Sequence, residues 1–75
     1  MMNRAEWIQA FAEALDAAML PEEQVELVLS LAGEAAHGSE RSAAPLACWI
    51  AGRSGASPAR ALEVARKLAD DAARD

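Results

Sequence analysis

Cysteine, histidine and tyrosine are nearly absent from this 75-residue chain, which has one Cys, one His and no Tyr. A single cysteine excludes an intrachain disulfide and suits a reducing cytosol. One histidine and one cysteine are too few for a structural zinc site, which usually takes four ligands. The sequence therefore predicts no metal, and nothing in it points to a cofactor.

Long hydrophobic runs are also lacking. The longest extends from Ala43 to Ala51, whereas a membrane-spanning helix needs about 20 apolar residues. The first residues do not have the layout of a signal peptide, and no segment alternates as a strand does. We expect a cytoplasmic protein without a membrane partner, built as a single helical domain over residues 1–75.

Basic residues are scarce in the first half of the chain. Residues 1–40 have eight acids and one base, a formal charge of −7, and residues 41–75 have four acids and six bases, a charge of +2. A net acidic chain repels nucleic acid, so none is expected as a partner. The asymmetry has two interpretations: attraction between the halves within the fold, or a weak basic patch around Arg41, Arg53 and Arg60.

Apolar residues recur at helical spacing in four segments of the chain. Short connections make consecutive helices antiparallel neighbours. The predicted fold is therefore all-α, a compact antiparallel four-helix bundle. The predicted helices cover residues of about 4–19, 21–37, 43–54 and 58–73.

Capping residues support these boundaries. Asn3 and Glu6 have the spacing of a capping box. Pro21 is expected to stop the first helix and to open the second, which Gly38 ends in a left-handed cap. The predicted N-caps of the last two helices are Ser42 and Ser57.

Each helix has a predicted inner face. The second has the widest apolar face and is expected to be central. Trp7 and Trp49 are interpreted as core anchors, and Cys48 as a small buried residue. Glu63 and Lys67 are expected to pair at the surface. The other predicted inner positions include Ile8, Phe11, Ala12, Leu15, Ala18 and Met19; Leu46 and Ile50; and Ala61, Leu62, Ala65, Leu68, Ala69 and Ala72.

The turn between the second and third helices holds the candidate site. His37 and Arg41 either cap the helix ends or together hold a carboxylate or phosphate near the N-terminus of the third helix. No acid is placed to complete a triad with His37 and Cys48, and carboxylates are scattered. No catalytic residue is therefore predicted. The loop from Gly52 to Ser57 lacks the phosphate-loop pattern.

Residues 37–52, HGSERSAAPLACWIAG, resemble the signature of a small bacterial helical domain of unknown function. That signature has His, three residues, Arg, Pro, two small residues, Pro-Leu, two residues, an aromatic, an aliphatic, a residue and Gly. Here Ser42 replaces the usual Pro, and Ala47 a frequent Thr. The resemblance implies a link to molybdenum-cofactor biosynthesis, since members lie beside, or are fused to, proteins resembling the molybdopterin guanylyltransferase.

Two functions are predicted from these observations. The first is a non-enzymatic accessory or protein-interaction module, with a molybdopterin guanylyltransferase-like protein as its partner; a homo-oligomer is left open. The alternative is a small anion- or nucleotide-binding domain that uses His37, Arg41 and Arg53. The candidate ligand or partner site comprises His37, Arg41, Pro45, Leu46 and Arg53.

Overall fold

Four α-helices account for most of the chain in the computed structural model, which describes residues 1–73. No strand occurs in this range, which confirms the all-α class. The last two residues of the predicted domain, 74 and 75, lie outside the described part. The helices are α1 (Arg4–Ala14), α2 (Glu22–Gly38), α3 (Ala43–Ser54) and α4 (Pro58–Ala73).

Helix α1 begins as predicted and ends early. The Asn3 side chain accepts a hydrogen bond from the Glu6 N–H at 2.8 Å, and the Glu6 carboxylate accepts one from the Asn3 N–H at 3.2 Å. The helix ends at Ala14, not near residue 19. Asp16 adopts a left-handed conformation, and its N–H and that of Ala17 close a Schellman motif. A short polar side chain makes this conformation accessible to Asp.

Gly38 does not cap α2 as predicted, whereas Ser42 takes the predicted N-cap position of α3 but without a side-chain hydrogen bond. Gly38 is the last helical residue of α2, and the cap position falls on Ser39. Ser42 has helical backbone angles and caps nothing with its side chain, because the carbonyls of Glu40 and Arg41 already accept the first N–H groups of α3. The Ser57 cap is confirmed by its hydroxyl, which accepts the Arg60 N–H at 3.1 Å.

Helix α2 is the centre of the bundle, as predicted, and packs closely against α3 and α4. Gly38 lies near Ala43, and Val28 near Cys48, so α2 and α3 run antiparallel. α3 and α4 are antiparallel as well, with Ser54 near Arg60 at one end of their contact. The described chain is thus an all-α bundle of four helices in which α2, α3 and α4 form the closely packed part.

The buried core consists of two leucines within the described residues. Leu31 of α2 and Leu62 of α4 each keep 5% of their surface exposed. Ion pairs add little here, since all are partly exposed. Arg66 reaches Glu34 across the α2–α4 contact at 3.6 Å. Instead of the predicted Glu63–Lys67 pair, Arg60 binds Glu63 at 2.9 Å and Lys67 lies 3.6 Å from Asp71.

The predicted inner faces of α1 and α4 are partly wrong. Trp7, Phe11 and the other large apolar residues of α1 are exposed, because this helix does not pack closely against any other helix. On α4, Leu68 is 65% exposed, and the core is filled by Leu62. The half-buried positions around Leu62 are the alanines Ala61, Ala65 and Ala69.

The separation of α1 makes the molecule elongated. Its radius of gyration is 13.6 Å, with extents of 44 × 26 × 18 Å, whereas a compact domain of this length has about 11 Å. Its accessible surface is 6,035 Å², compared with about 4,400 Å² for a monomeric globular protein of the same mass. No helix in residues 1–73 combines the length and apolar character needed to cross a bilayer.

The contrast between buried and exposed leucines gives a stability test. Leu31→Ala removes a buried side chain and should lower the free energy of unfolding by about 2–5 kcal/mol. Leu46→Ala is the matched control on an exposed helix face, where the change should stay within about 0.5 kcal/mol. Urea unfolding followed by circular dichroism measures both. Equal losses for the two variants would contradict this core.

Candidate functional site

Helix α3 turns its large apolar side chains toward solvent. Leu46 is 64% exposed, Trp49 71% and Ile50 65%. The expectation that these three residues form the inner face, with Trp49 as a core anchor, is therefore wrong. Arg53 continues the same side of the helix and is also exposed. We call Leu46, Trp49 and Arg53 the α3 ridge.

Small side chains on the opposite side of α3 explain this orientation. The half-buried positions of the helix are four alanines and one cysteine. Side chains of this size let two helices approach closely, and the Cys48 Sγ lies 3.9 Å from the carbonyl oxygen of Val28 on α2. Bulky Leu46 and Trp49 at this contact would push the helices apart. The half-buried residues are Ala43, Ala44, Ala47, Cys48 and Ala51.

An apolar groove runs between α3 and α4 beside the ridge. Its volume is about 390 Å³, and its rim carries three exposed apolar side chains, Ile50, Val64 and Leu68. The floor includes Leu31 and alanines of both helices, and Arg60 lies at one end. We call this feature the α3–α4 groove. An uncovered apolar groove of this kind is typical of a binding surface.

A second apolar surface lies on α1. The rings of Trp7 and Phe11 stack with centroids 5.2 Å apart and planes 16° from parallel. Leu15 follows one turn later, and all three side chains are about half exposed or more. We call these three residues the α1 face. Ile8 points instead toward α2, where it lines a cavity of about 190 Å³ with Val25.

The five residues of the predicted site all lie on the surface. His37, Arg41 and Arg53 make no side-chain ion pair within residues 1–73. None of the five residues lines the α3–α4 groove or the cavity beneath α1. Arg53 lies near the far end of α3, about 15 Å along the axis from Ala43. The predicted anion site thus has its cations at opposite ends of one helix.

Cys48 and His37 do not form a nucleophile–base pair. Cys48 packs beside Val28, and His37 lies nine residues further along α2, about 13 Å up the axis. Burial raises the pKa of the Cys48 thiol above its ordinary value, which keeps it protonated at neutral pH. Residues 1–73 contain no group of three or more His, Cys, Asp or Glu side chains that could hold a metal ion.

Comparison with known proteins places the chain in a family. The whole sequence, residues 1–75, matches the family described as a domain of unknown function, DUF6457. The chain belongs to this family. No curated protein and no solved structure matches it significantly.

Sequence reasoning found Leu46 and Arg53 as candidate site residues but assigned Trp49 and Leu68 to the core. Both sides of α3 are apolar, so periodicity alone does not decide which one faces inward. The signal that was available is side-chain size, since one side consists of alanines and a cysteine. A helix that packs against its neighbour with its small residues exposes its large residues, which can then contact another molecule.

The Cys48 thiol provides a test of the α2–α3 contact. Because burial raises its pKa, alkylation by iodoacetamide should be slower at pH 7–8 than that of an unperturbed cysteine, whose pKa is about 8.5. The rate should rise with pH toward a plateau, with a midpoint above that of the unfolded chain, since the thiolate is the nucleophile. The chain unfolded in urea is the control and should titrate normally. A midpoint below that of the unfolded chain would contradict the packing of Cys48.

Proposed function

We propose that this domain is a protein-interaction module that acts by binding rather than by catalysis, with the α3 ridge as its docking surface. The observation that carries the proposal is the orientation of α3. Leu46 and Trp49 are exposed on a helix whose small side is already packed. The exposed side chains of the ridge therefore do not stabilise the folded monomer, and they are available to a partner.

The chemistry of the ridge suits protein recognition. Interface anchors are enriched in Trp and Arg, which contribute most of the binding energy when they are fully desolvated. Trp49 supplies a large rigid surface, with Leu46 one turn before it and Arg53 one turn after it. α3 holds this spacing fixed because its other side packs against α2. Little conformational entropy is then lost on binding.

The resemblance of residues 37–52 to the small bacterial helical domain suggests which protein is the partner. We propose a molybdopterin guanylyltransferase-like protein, and hence a role in bacterial molybdenum-cofactor biosynthesis. Pro45 and Leu46, which carry part of that resemblance, are exposed at the start of α3. The single cysteine supports a cytoplasmic setting. His37 lies in the last turn of α2, and Arg41 lies in the connection to α3. Both are suited to acidic groups on the partner.

The two tryptophans allow a matched test of this proposal. Trp49→Ala should weaken binding of the purified guanylyltransferase-like protein by at least about 30-fold, the loss of an anchor worth 2 kcal/mol. Trp7→Ala makes the same substitution on another exposed helix and should leave the dissociation constant per site within about twofold. Isothermal titration calorimetry measures both.

Two results would contradict the proposal. One is a parent domain that does not bind the guanylyltransferase-like protein. The other is a Trp49→Ala variant that binds as tightly as the parent, or a Trp7→Ala variant that loses as much affinity as Trp49→Ala does. Circular dichroism of both variants checks that the helices are intact.

A further inference from the structure

Two apolar surfaces are uncovered in addition to the ridge. The α1 face has a stacked Trp7–Phe11 pair that touches no other helix closely. The α3–α4 groove has an apolar floor and a rim of exposed Ile50, Val64 and Leu68. We propose that they cover each other between two copies of this chain: the α1 face of each copy occupies the α3–α4 groove of the other, in a symmetric homodimer.

The exposed area fits such a dimer. The chain exposes about 1,600 Å² more than a monomeric globular protein of its mass. A contact of standard size buries about 800 Å² from each partner. In a reciprocal dimer each chain takes part in two equivalent contacts, once with its α1 face and once with its groove. Two contacts of standard size would bury the whole excess.

The dimensions of the two surfaces also agree. α1 has 11 residues and α3 has 12, which correspond to about 16 Å and 18 Å of helix. The Trp7, Phe11 and Leu15 side chains follow at intervals of four residues along one side. This spacing is that of a helix bound in an apolar groove through successive turns.

A second copy fits better than two other ways of covering these surfaces. Packing groove against groove would leave the α1 face in water. Folding α1 into its own groove would take Ile8 and Ala5 away from the cavity that they share with Val25 of α2. A reciprocal contact keeps that cavity and satisfies the self-complementarity that a two-fold dimer requires. It also leaves the α3 ridge free, so it does not depend on the proposed function.

The test is the oligomeric state of the full chain, measured by sedimentation equilibrium. The parent should have twice its chain mass of 7.9 kDa. Trp7→Glu and Leu68→Glu should each be monomeric, because each places a charge in both contacts. Leu46→Glu alters the ridge and is the matched control, which should remain a dimer. All three substituted positions are exposed in the folded chain, and circular dichroism checks that the helices are intact.

Mixing the two monomeric variants gives the decisive result. A Trp7→Glu chain has an intact groove, and a Leu68→Glu chain has an intact α1 face, so the mixture should form a heterodimer through one unaltered contact. A monomeric parent would overturn the proposal. So would a Trp7→Glu variant that remains a dimer, as groove-to-groove packing requires, a Leu46→Glu variant that dissociates, or a mixture that stays monomeric at millimolar concentration.

Discussion

The close contact between α2 and the small side of α3 determines the layout of this molecule. Alanines and Cys48 line that side, and the thiol lies 3.9 Å from the backbone of Val28. A contact this close is incompatible with tryptophan or leucine at the same positions, so Leu46, Trp49 and Ile50 face solvent. The apolar surface available to a partner is therefore a consequence of how the bundle packs internally.

The same constraint limits the core. Leu31 and Leu62 are the two buried apolar residues of the described chain, and the free energy of unfolding of small domains is low. α1 adds no buried side chain and leaves Trp7 and Phe11 exposed. A chain with a small core and large exposed apolar faces gains stability from association, because a partner that binds only the folded form raises its stability by mass action.

Sequence patterns predict the helices better than their orientation. The capping box at Asn3, the start of α4 at Pro58 and the central place of α2 follow from local chemistry and are confirmed. The early end of α1 does not, because it depends on Asp16 taking a conformation that glycine usually takes. For Trp49, burial depends on which of two apolar sides packs against α2, and this tertiary choice has no periodic signal. The candidate site is accordingly predicted in part, through Leu46 and Arg53.

The exposure of Trp49 is the central claim, and fluorescence measures it most directly. In a Trp7→Phe variant, Trp49 is the only tryptophan of the chain. Its emission should be red-shifted, close to that of tryptophan in water, and acrylamide should quench it nearly as well in the folded chain as in urea. A blue-shifted emission that acrylamide quenches poorly until the chain unfolds would show that Trp49 is buried and would contradict the orientation of α3.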